Sequence, residues 1–234
     1  MKNDLKNFKT LLGVILTVVF VSIGYFEKTD PVKEVSGSAI ESDTENDVMS
    51  TKKIALTFDD GPHPTYTPML LDGLKERGIH ATFFLLGQSA QNYPDLVRRM
   101  QEEGHLIGNH TFYHTDLKNA DAVMLNREVV KTNEVIEKIT GETPQYIRPP
   151  FGSHDDNLEE MTGMLVVLWT VDPLDWCCED AASIVRRVEE NAQDNAIILM
   201  HDSYKSSVMA ALTVVDELQK QGYEFVTVDE ILFE

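Results

Sequence analysis

Seven short apolar runs alternate with longer amphipathic segments from residue 51 onward, and this alternation constrains the possible folds more than any other feature of the sequence. The segments between most of the runs repeat apolar residues every three or four positions, which is typical of helices. Nearly continuous apolar strands separated by helices predict a parallel sheet with helices on its faces. The seven runs occupy residues 54–58, 81–86, 105–108, 145–148, 165–170, 196–200 and 223–228.

Polar residues that a buried strand does not require stand at or just after the ends of five of these runs. A (β/α) barrel gathers the carboxyl ends of all its strands at one rim, where such barrels place their chemistry, whereas an open sheet spreads them along an edge. We therefore expect an α/β fold that resembles a TIM barrel, with about seven parallel strands instead of the usual eight. The polar residues are Asp59, Asp60, His110, His114, Arg148, Asp172, Asp175 and His201.

The first 26 residues differ in composition from the rest of the chain. Lysines precede an uncharged apolar run at residues 11–26, which as a helix spans about 24 Å, slightly less than a bilayer core of roughly 30 Å. No small-residue cleavage site follows closely. We therefore expect residues 1–26 to be a signal anchor that crosses the cell membrane once, with the folded domain outside the cell. Secretion after signal cleavage is the alternative.

The next 24 residues, 27–50, carry seven acidic side chains and little apolar content. This composition predicts a disordered, self-repelling stalk, so that the folded domain comprises residues 51–234. The formal net charge of the whole chain is −19, which argues against the binding of nucleic acid through bulk electrostatics. We expect a monomer.

The two cysteines, Cys177 and Cys178, are neighbours in the sequence. Their Cα atoms lie about 3.8 Å apart, which is below the usual disulfide range of roughly 4.4–6.8 Å. We therefore expect two partly buried free thiols, and a metal-binding role for them is disfavoured.

The segment HTFYH places His110 and His114 four positions apart, so that on a helical turn the two imidazoles would share one face. Two histidines and one carboxylate are a common ligand set for a divalent metal that leaves positions open for water and substrate. Asp59 and Asp60 follow another strand of the same sheet and offer that carboxylate. Alternatively, these segments are hydrogen-bonded surface histidines and an exposed Asp-Asp-Gly-Pro turn.

The paired aspartates suit two different tasks. Side chains of successive extended residues point apart, so one of Asp59 and Asp60 can bind a metal while the other stays free as a base. The spacing alone does not say which residue does which.

Five segments resemble, in order, the motifs of the polysaccharide deacetylases with a NodB-type domain, which form carbohydrate esterase family 4. The resemblance covers residues 53–230 and implies a distorted (β/α) barrel. It also implies metal-dependent hydrolysis of N-acetyl groups from a glycan, with release of acetate and a free amine. The segments are TFDDGP at 57–62, HTFYH at 110–114, RPPF at 148–151, DPLDW at 172–176 and LMH at 199–201.

The resemblance assigns the residues of the first three motifs. Asp59 would be the general base, and Arg148 would orient it. The metal ligands would be Asp60, His110 and His114. Zinc is the default cation for two nitrogen ligands and one oxygen ligand, and cobalt or nickel would also fit.

The remaining motif residues would complete the active site. Asp175 would tune His201, the general acid, while Trp176 would form a wall of the pocket. The backbone N–H near Phe151 would help to bind the oxyanion, although many family members have tyrosine at this position. The role of Asp172 stays open, and we expect Trp169 to be a core residue.

A short stalk that tethers an enzyme outside the membrane suits a cell-wall substrate, so peptidoglycan N-acetylglucosamine is the first expectation. Chitin, xylan or an exopolysaccharide is the alternative. Two alternatives come from other classes of protein: an Fe(II) oxygenase, which uses a similar ligand set, and a catalytically silent protein that binds wall glycans. The surplus of acid and base residues argues against the oxygenase.

Overall fold

The computed structural model of the protein describes residues 51–233. The predicted membrane anchor and acidic stalk, residues 1–26 and 27–50, lie outside this described part. None of the helices between residues 51 and 233 has the length and apolarity that a bilayer crossing requires.

Seven strands within the described residues form one sheet, and every pair of neighbouring strands is parallel. The strand order is β5-β4-β3-β2-β1-β6, and β7 pairs with the first half of β1. Each of the seven predicted strands is present, and β7 ends before Thr227 because that residue caps a helix. The strands are β1 Lys52–Asp59, β2 Thr82–Leu85, β3 Leu106–Asn109, β4 Tyr146–Ile147, β5 Leu165–Val166, β6 Ala196–His201 and β7 Tyr223–Val226.

Each helix of the described residues follows one of these strands, and the long helices fall where the apolar repeats predict them. The sequence pattern misses α2, α6 and α9, because helices of five or six residues are too short to show a repeat. The helices are α1 Tyr66–Glu76, α2 Gly87–Asn92, α3 Pro94–Glu102, α4 Ala122–Leu125, α5 Lys131–Thr140, α6 Leu158–Thr162, α7 Ala181–Asn191, α8 Lys205–Lys220 and α9 Val228–Leu232.

Three short segments depart from regular helices. Apolar residues recur every three or four positions over residues 121–141 and predict a helix there; the helix is present, but it passes from α4 into α5 through a π-helical segment, Asn126–Val130. Single 3₁₀ turns occupy Pro150–Gly152 and Asp175–Cys177, in two of the motif segments.

The sheet curves so that the chain beyond β5, at one edge, meets β6, at the other edge. Beyond β5 the chain continues to Val171, which forms a parallel bridge with Ile198 in β6. The backbone N–H of Leu199 donates to the carbonyl of Val171 at 2.9 Å. The fold is therefore a parallel α/β half-barrel, consistent with the distorted barrel that we expect.

Strand β1 divides its side chains between the two faces of this curved sheet. Leu56 and Phe58 belong to the main core, where they join apolar side chains of α1, α3, α7 and α8. Ala55 lies in a smaller cluster on the opposite face. Because side chains alternate along a strand, Thr57 and Asp59 share the face of Ala55. The alternation of β1 thus places a buried carboxylate on the inside of the half-barrel.

Candidate metal centre and active site

Asp59 ends β1 and lies almost fully buried beside Arg148, which directly follows β4 and is also buried. Arg148 Nη1 donates to Asp59 Oδ1 at 2.8 Å and to Thr57 Oγ1 at 2.7 Å. The other guanidinium nitrogens donate to the carbonyls of Val167 and Leu168, just after β5. Burial lowers the pKa of Arg148, and the charge and hydrogen bond of Asp59 oppose that shift. The arginine therefore fixes the orientation of Asp59, as the resemblance implies.

Asp60 turns away from the strand. Its φ of 72° lies in the left-handed region, so the expectation that both aspartates are extended is wrong for this residue. The left-handed backbone turns the Asp60 carboxylate toward the imidazoles, whereas Asp59 keeps Oδ1 on Arg148 and places Oδ2 3.8 Å from His110 Nε2. Asp60 Oδ1 is buried and has no hydrogen-bond partner among the described residues.

His110 and His114 present their Nε2 atoms to that unpartnered oxygen. Each Nε2 lies 3.5 Å from Asp60 Oδ1, and the three candidate ligand atoms lie within 4.8 Å of one another. The carbonyl of Arg148 lies 2.6 Å from His110 Nδ1. Since a carbonyl can only accept, Nδ1 carries the proton and Nε2 keeps its lone pair for a ligand.

The backbone between the two histidines differs from the expected helical turn. It is a loop in which Thr111 and His114 have φ values of 68° and 58°. The expectation of a helix was wrong because spacing of four also occurs in a tight loop that returns on itself. The imidazole rings nevertheless converge, with centroids 5.1 Å apart.

The residues present fit a divalent metal. Burial lowers the pKa of His110, although Asp59 and Asp60 oppose the shift, so the imidazole favours the neutral form that binds metal. A buried carboxylate oxygen without a partner is costly unless a cation or donor completes its environment. Asp60, His110 and His114 are therefore the residues that would hold the cation.

His201 ends β6, where it is the register partner of Asp59 in the neighbouring β1, and it lines the same cavity. Its Nδ1 lies 2.9 Å from Asp175 Oδ1, and its backbone N–H donates to Asp175 Oδ2 at 2.8 Å. Burial lowers the pKa of His201, but the hydrogen bond and charge of Asp175 outweigh this, with help from Asp59 and Asp60. The resulting pKa is about 9, so the ring is a protonated acid at neutral pH.

One cavity of about 470 Å³ is lined by the three candidate metal ligands together with Asp59 and His201. Phe151 and Trp176 stand exposed at its edge, with 70% and 54% of their surfaces accessible. Trp169, which we expect in the core, packs against the smaller apolar cluster that contains Ala55. It also lines the cavity. The residues that line the cavity are Asp59, Asp60, His110, His114, Phe151, Trp169, Asp172, Trp176, Leu199 and His201.

Two contributing residues received no role in the sequence analysis although they stand in its motifs, and one prediction needs correction. Thr57, the first residue of TFDDGP, supports Arg148, and strand alternation from Asp59 could have identified that role. Leu199, the first residue of LMH, lines the cavity. Cys177 and Cys178 are free thiols as predicted, but Cys177 is exposed instead of partly buried.

Comparison with known proteins gives concordant matches. The family model described as polysaccharide deacetylase matches residues 46–165. The peptidoglycan-N-acetylglucosamine deacetylase PgdA of Listeria monocytogenes is 40% identical over 182 residues, which are 78% of this chain and 39% of the relative. This chain thus spans well under half the length of that relative.

Two further matches cover most of the length of the related protein. A peptidoglycan-N-acetylglucosamine deacetylase of Bacillus cereus is 42% identical over 189 residues, which are 77% of this chain and 88% of the relative. The solved structure of the peptidoglycan deacetylase PdaC from Bacillus subtilis superposes with a TM-score of 0.75 at 43% identity. That match covers 78% of this chain and 91% of the other.

The geometry predicts different effects of the two aspartates on metal binding. Asp60→Ala removes a candidate metal ligand. Zinc affinity should therefore fall by more than roughly 10–100-fold, which is the loss expected when a residue that only hydrogen-bonds to a ligand is removed. Asp59→Asn should leave zinc affinity near the wild-type value, because Asp59 Oδ1 accepts from Arg148 and its Oδ2, 3.8 Å from His110 Nε2, lies outside the group formed by Asp60, His110 and His114. Calorimetric titration of metal-stripped protein measures both. Loss of zinc binding in Asp59→Asn with retention in Asp60→Ala would reverse the assignment.

Proposed function

We propose, since the chain belongs to the polysaccharide deacetylase family, that its site removes N-acetyl groups from a cell-wall glycan by metal-dependent hydrolysis. One observation carries the proposal: a single cavity joins Asp60, His110 and His114 to the arginine-bound Asp59 and the aspartate-bound His201. A ligand set, a base and an acid are the three parts that hydrolysis of an unactivated amide requires.

The cation that we propose is zinc, with cobalt or nickel as compatible substitutes. When bound, it would polarise the acetamide carbonyl and lower the pKa of water. The protein residues do the remaining work. Asp59 accepts a proton from the attacking water, and Arg148 keeps the carboxylate in the orientation for that transfer. The water oxygen then bonds to the carbonyl carbon, and a backbone N–H near Phe151 donates to the developing oxyanion.

His201 completes the reaction. As the C–N bond breaks, its electron pair stays on the nitrogen, and the protonated imidazole supplies the proton that this poor leaving group needs. Asp175 keeps the ring protonated and correctly turned. The products are acetate and an amino sugar, whose amine becomes cationic at neutral pH.

Peptidoglycan N-acetylglucosamine is the substrate that we propose first. The names of the Listeria and Bacillus cereus relatives support it, and a different relative from Bacillus subtilis is named for N-acetylmuramic acid. The exposed aromatic rings of Phe151 and Trp176 suit the apolar faces of sugar rings. Deacetylation of chitin, xylan or an exopolysaccharide is the alternative.

For the cellular location we propose a single membrane crossing within residues 1–26, an extracellular catalytic domain and a monomeric chain. The uncharged run at 11–26 and the acidic stretch that follows it support this arrangement. Full-length protein should fractionate with membranes at its unprocessed mass. A secreted species that lacks residues 1–39 would favour signal cleavage instead.

Acetate release from a panel of glycans tests the proposed function. Purified peptidoglycan should release acetate faster than acetylxylan or chitooligosaccharides, a chelator should stop the release, and added zinc should restore it. Asp59→Asn is the matched inactive control, with activity lower by roughly 10²–10⁴-fold. Preference for another glycan would change the substrate. Absence of acetate from every glycan would favour a silent binding protein, and metal-dependent oxygen uptake would favour the oxygenase.

His201 should matter far more for an amide than for an activated acetyl ester, because an activated alcohol leaves without the proton that an amine requires. His201→Ala should therefore abolish most acetamide hydrolysis, spare much of the ester hydrolysis and leave zinc content unchanged. Parallel kinetics on the two substrates measure the difference. Equal losses on both substrates, with zinc retained, would contradict the role of general acid.

Asp175→Asn tests the same acid through its pH dependence. The mutation removes the charge that raises the pKa of His201 above its ordinary value, so the pKa should fall from about 9. Because the protonated ring is the active form, activity disappears as the pH rises through this pKa. The alkaline limb of the pH–rate profile should consequently move to lower pH. An unchanged alkaline limb would show that another group controls it.

A further inference from the structure

The loop between His110 and His114 needs support from its surroundings. It belongs to no helix or strand, and Thr111 and His114 both adopt left-handed backbone conformations. Residues other than glycine hold such conformations only where neighbouring groups determine them. The positions of the two imidazoles depend on this backbone, so the groups that bind it also set the geometry of the metal ligands.

Glu128 supplies one side of that support. Its side chain is fully buried, and Oε2 accepts hydrogen bonds from the backbone N–H groups of Phe112 and Tyr113, at 3.2 and 2.9 Å. Oε1 accepts from Arg127 Nε at 2.9 Å. A buried carboxylate is stable only where donors satisfy it. Two of its donors here are consecutive peptide groups from the middle of the loop between His110 and His114.

The segment that carries Glu128 is the π-helical Asn126–Val130. Such bulges in α-helices occur frequently at functional sites. The same segment also binds the start of the loop. Asn109 Nδ2 donates to the carbonyl of Val129 at 3.0 Å, and Asn109 Oδ1 accepts from the backbone N–H of Thr111 at 2.7 Å. Two successive residues of the bulge, Glu128 and Val129, are therefore linked to the loop.

Helix α2 binds the carbonyl side of the same peptides. Gly87 N–H donates to the carbonyl of Thr111 at 2.9 Å, and Gln88 N–H donates to the carbonyl of Phe112 at 3.2 Å. A Cβ at Gly87 would lie 2.5 Å from the Phe112 ring, so only glycine permits this close approach. With its carbonyls on α2 and its N–H groups on Glu128, the loop is held from both sides.

We propose that Glu128 is a positioning residue of the metal centre: it touches neither metal nor substrate, but it holds the peptide groups between His110 and His114 and thereby sets zinc affinity. The inference rests on the metal site of the proposed function. A side chain that orients metal ligands from outside typically contributes about 10–100-fold in metal affinity.

Zinc titration of the full-length, metal-stripped protein tests this role without any glycan. Glu128→Ala should lower zinc affinity by about 10–100-fold. Glu128→Asp should lower it in the same direction, because the shorter side chain does not reach both N–H groups. Glu128→Gln should recover part of the affinity, since its amide oxygen can still accept from the two peptide N–H groups although its NH2 group cannot accept from Arg127. Glu134→Gln, at an exposed glutamate of α5, is the matched control and should bind zinc as the wild type does.

Circular dichroism at the titration temperature separates positioning from general stability. The inference predicts folded variants with weakened zinc binding, together with an altered visible spectrum when cobalt replaces zinc. Wild-type zinc affinity in folded Glu128→Ala and Glu128→Asp would overturn it. If the alanine variant does not fold, the aspartate variant decides by the same criterion.

The outcomes also separate this inference from the proposed activity. Wild-type protein that binds zinc but releases no acetate would refute the activity and leave the role of Glu128 in place. A wild-type protein without measurable zinc affinity would overturn the inference together with its premise.

Discussion

The buried guanidinium of Arg148 is the interaction on which the rest of the site depends. Its side chain joins Asp59 and Thr57 in β1 to the carbonyl groups that follow β5, and its own carbonyl accepts from His110. Removal of one partner from a buried ion pair costs roughly 3–5 kcal/mol, because the other charge stays buried and unpaired. The arginine thus links β1 to the chain that follows β5. It also fixes the orientation of the Asp59 carboxylate and the tautomer of His110.

The division of labour between Asp59 and Asp60 follows from this arrangement. Two adjacent carboxylates would repel each other in a buried site, but one has the guanidinium as its partner and the other faces two imidazoles. The left-handed backbone of Asp60 makes the separation possible. At the end of the neighbouring β6, Asp175 raises the pKa of His201 and so favours its protonated form. His201 therefore has a neighbour that favours the charge it needs for the proposed hydrolysis.

The sequence predicted the strands and the location of the site better than the local backbone that shapes it. Continuous apolar runs identify buried parallel strands, and polar residues at their ends converge in any half-barrel. The helical conformation predicted for the loop between His110 and His114 was wrong, because a spacing of four residues occurs both in helices and in tight loops. Glu128 was invisible for a similar reason: in an amphipathic repeat a glutamate indicates a solvent-exposed face. Its burial depends on peptide groups of a loop that lies 15 and 16 residues earlier in the chain, together with the neighbouring Arg127.

The assignment of the paired carboxylates is the central claim, and anomalous diffraction from zinc-loaded crystals at the zinc absorption edge tests it most directly. The account predicts one peak about 2.0–2.2 Å from an Asp60 oxygen and from Nε2 of both His110 and His114, as expected for zinc ligands. Asp59 should remain bound to Arg148 and outside bonding distance. A peak bonded to Asp59, or the absence of zinc from the two histidines, would contradict the account.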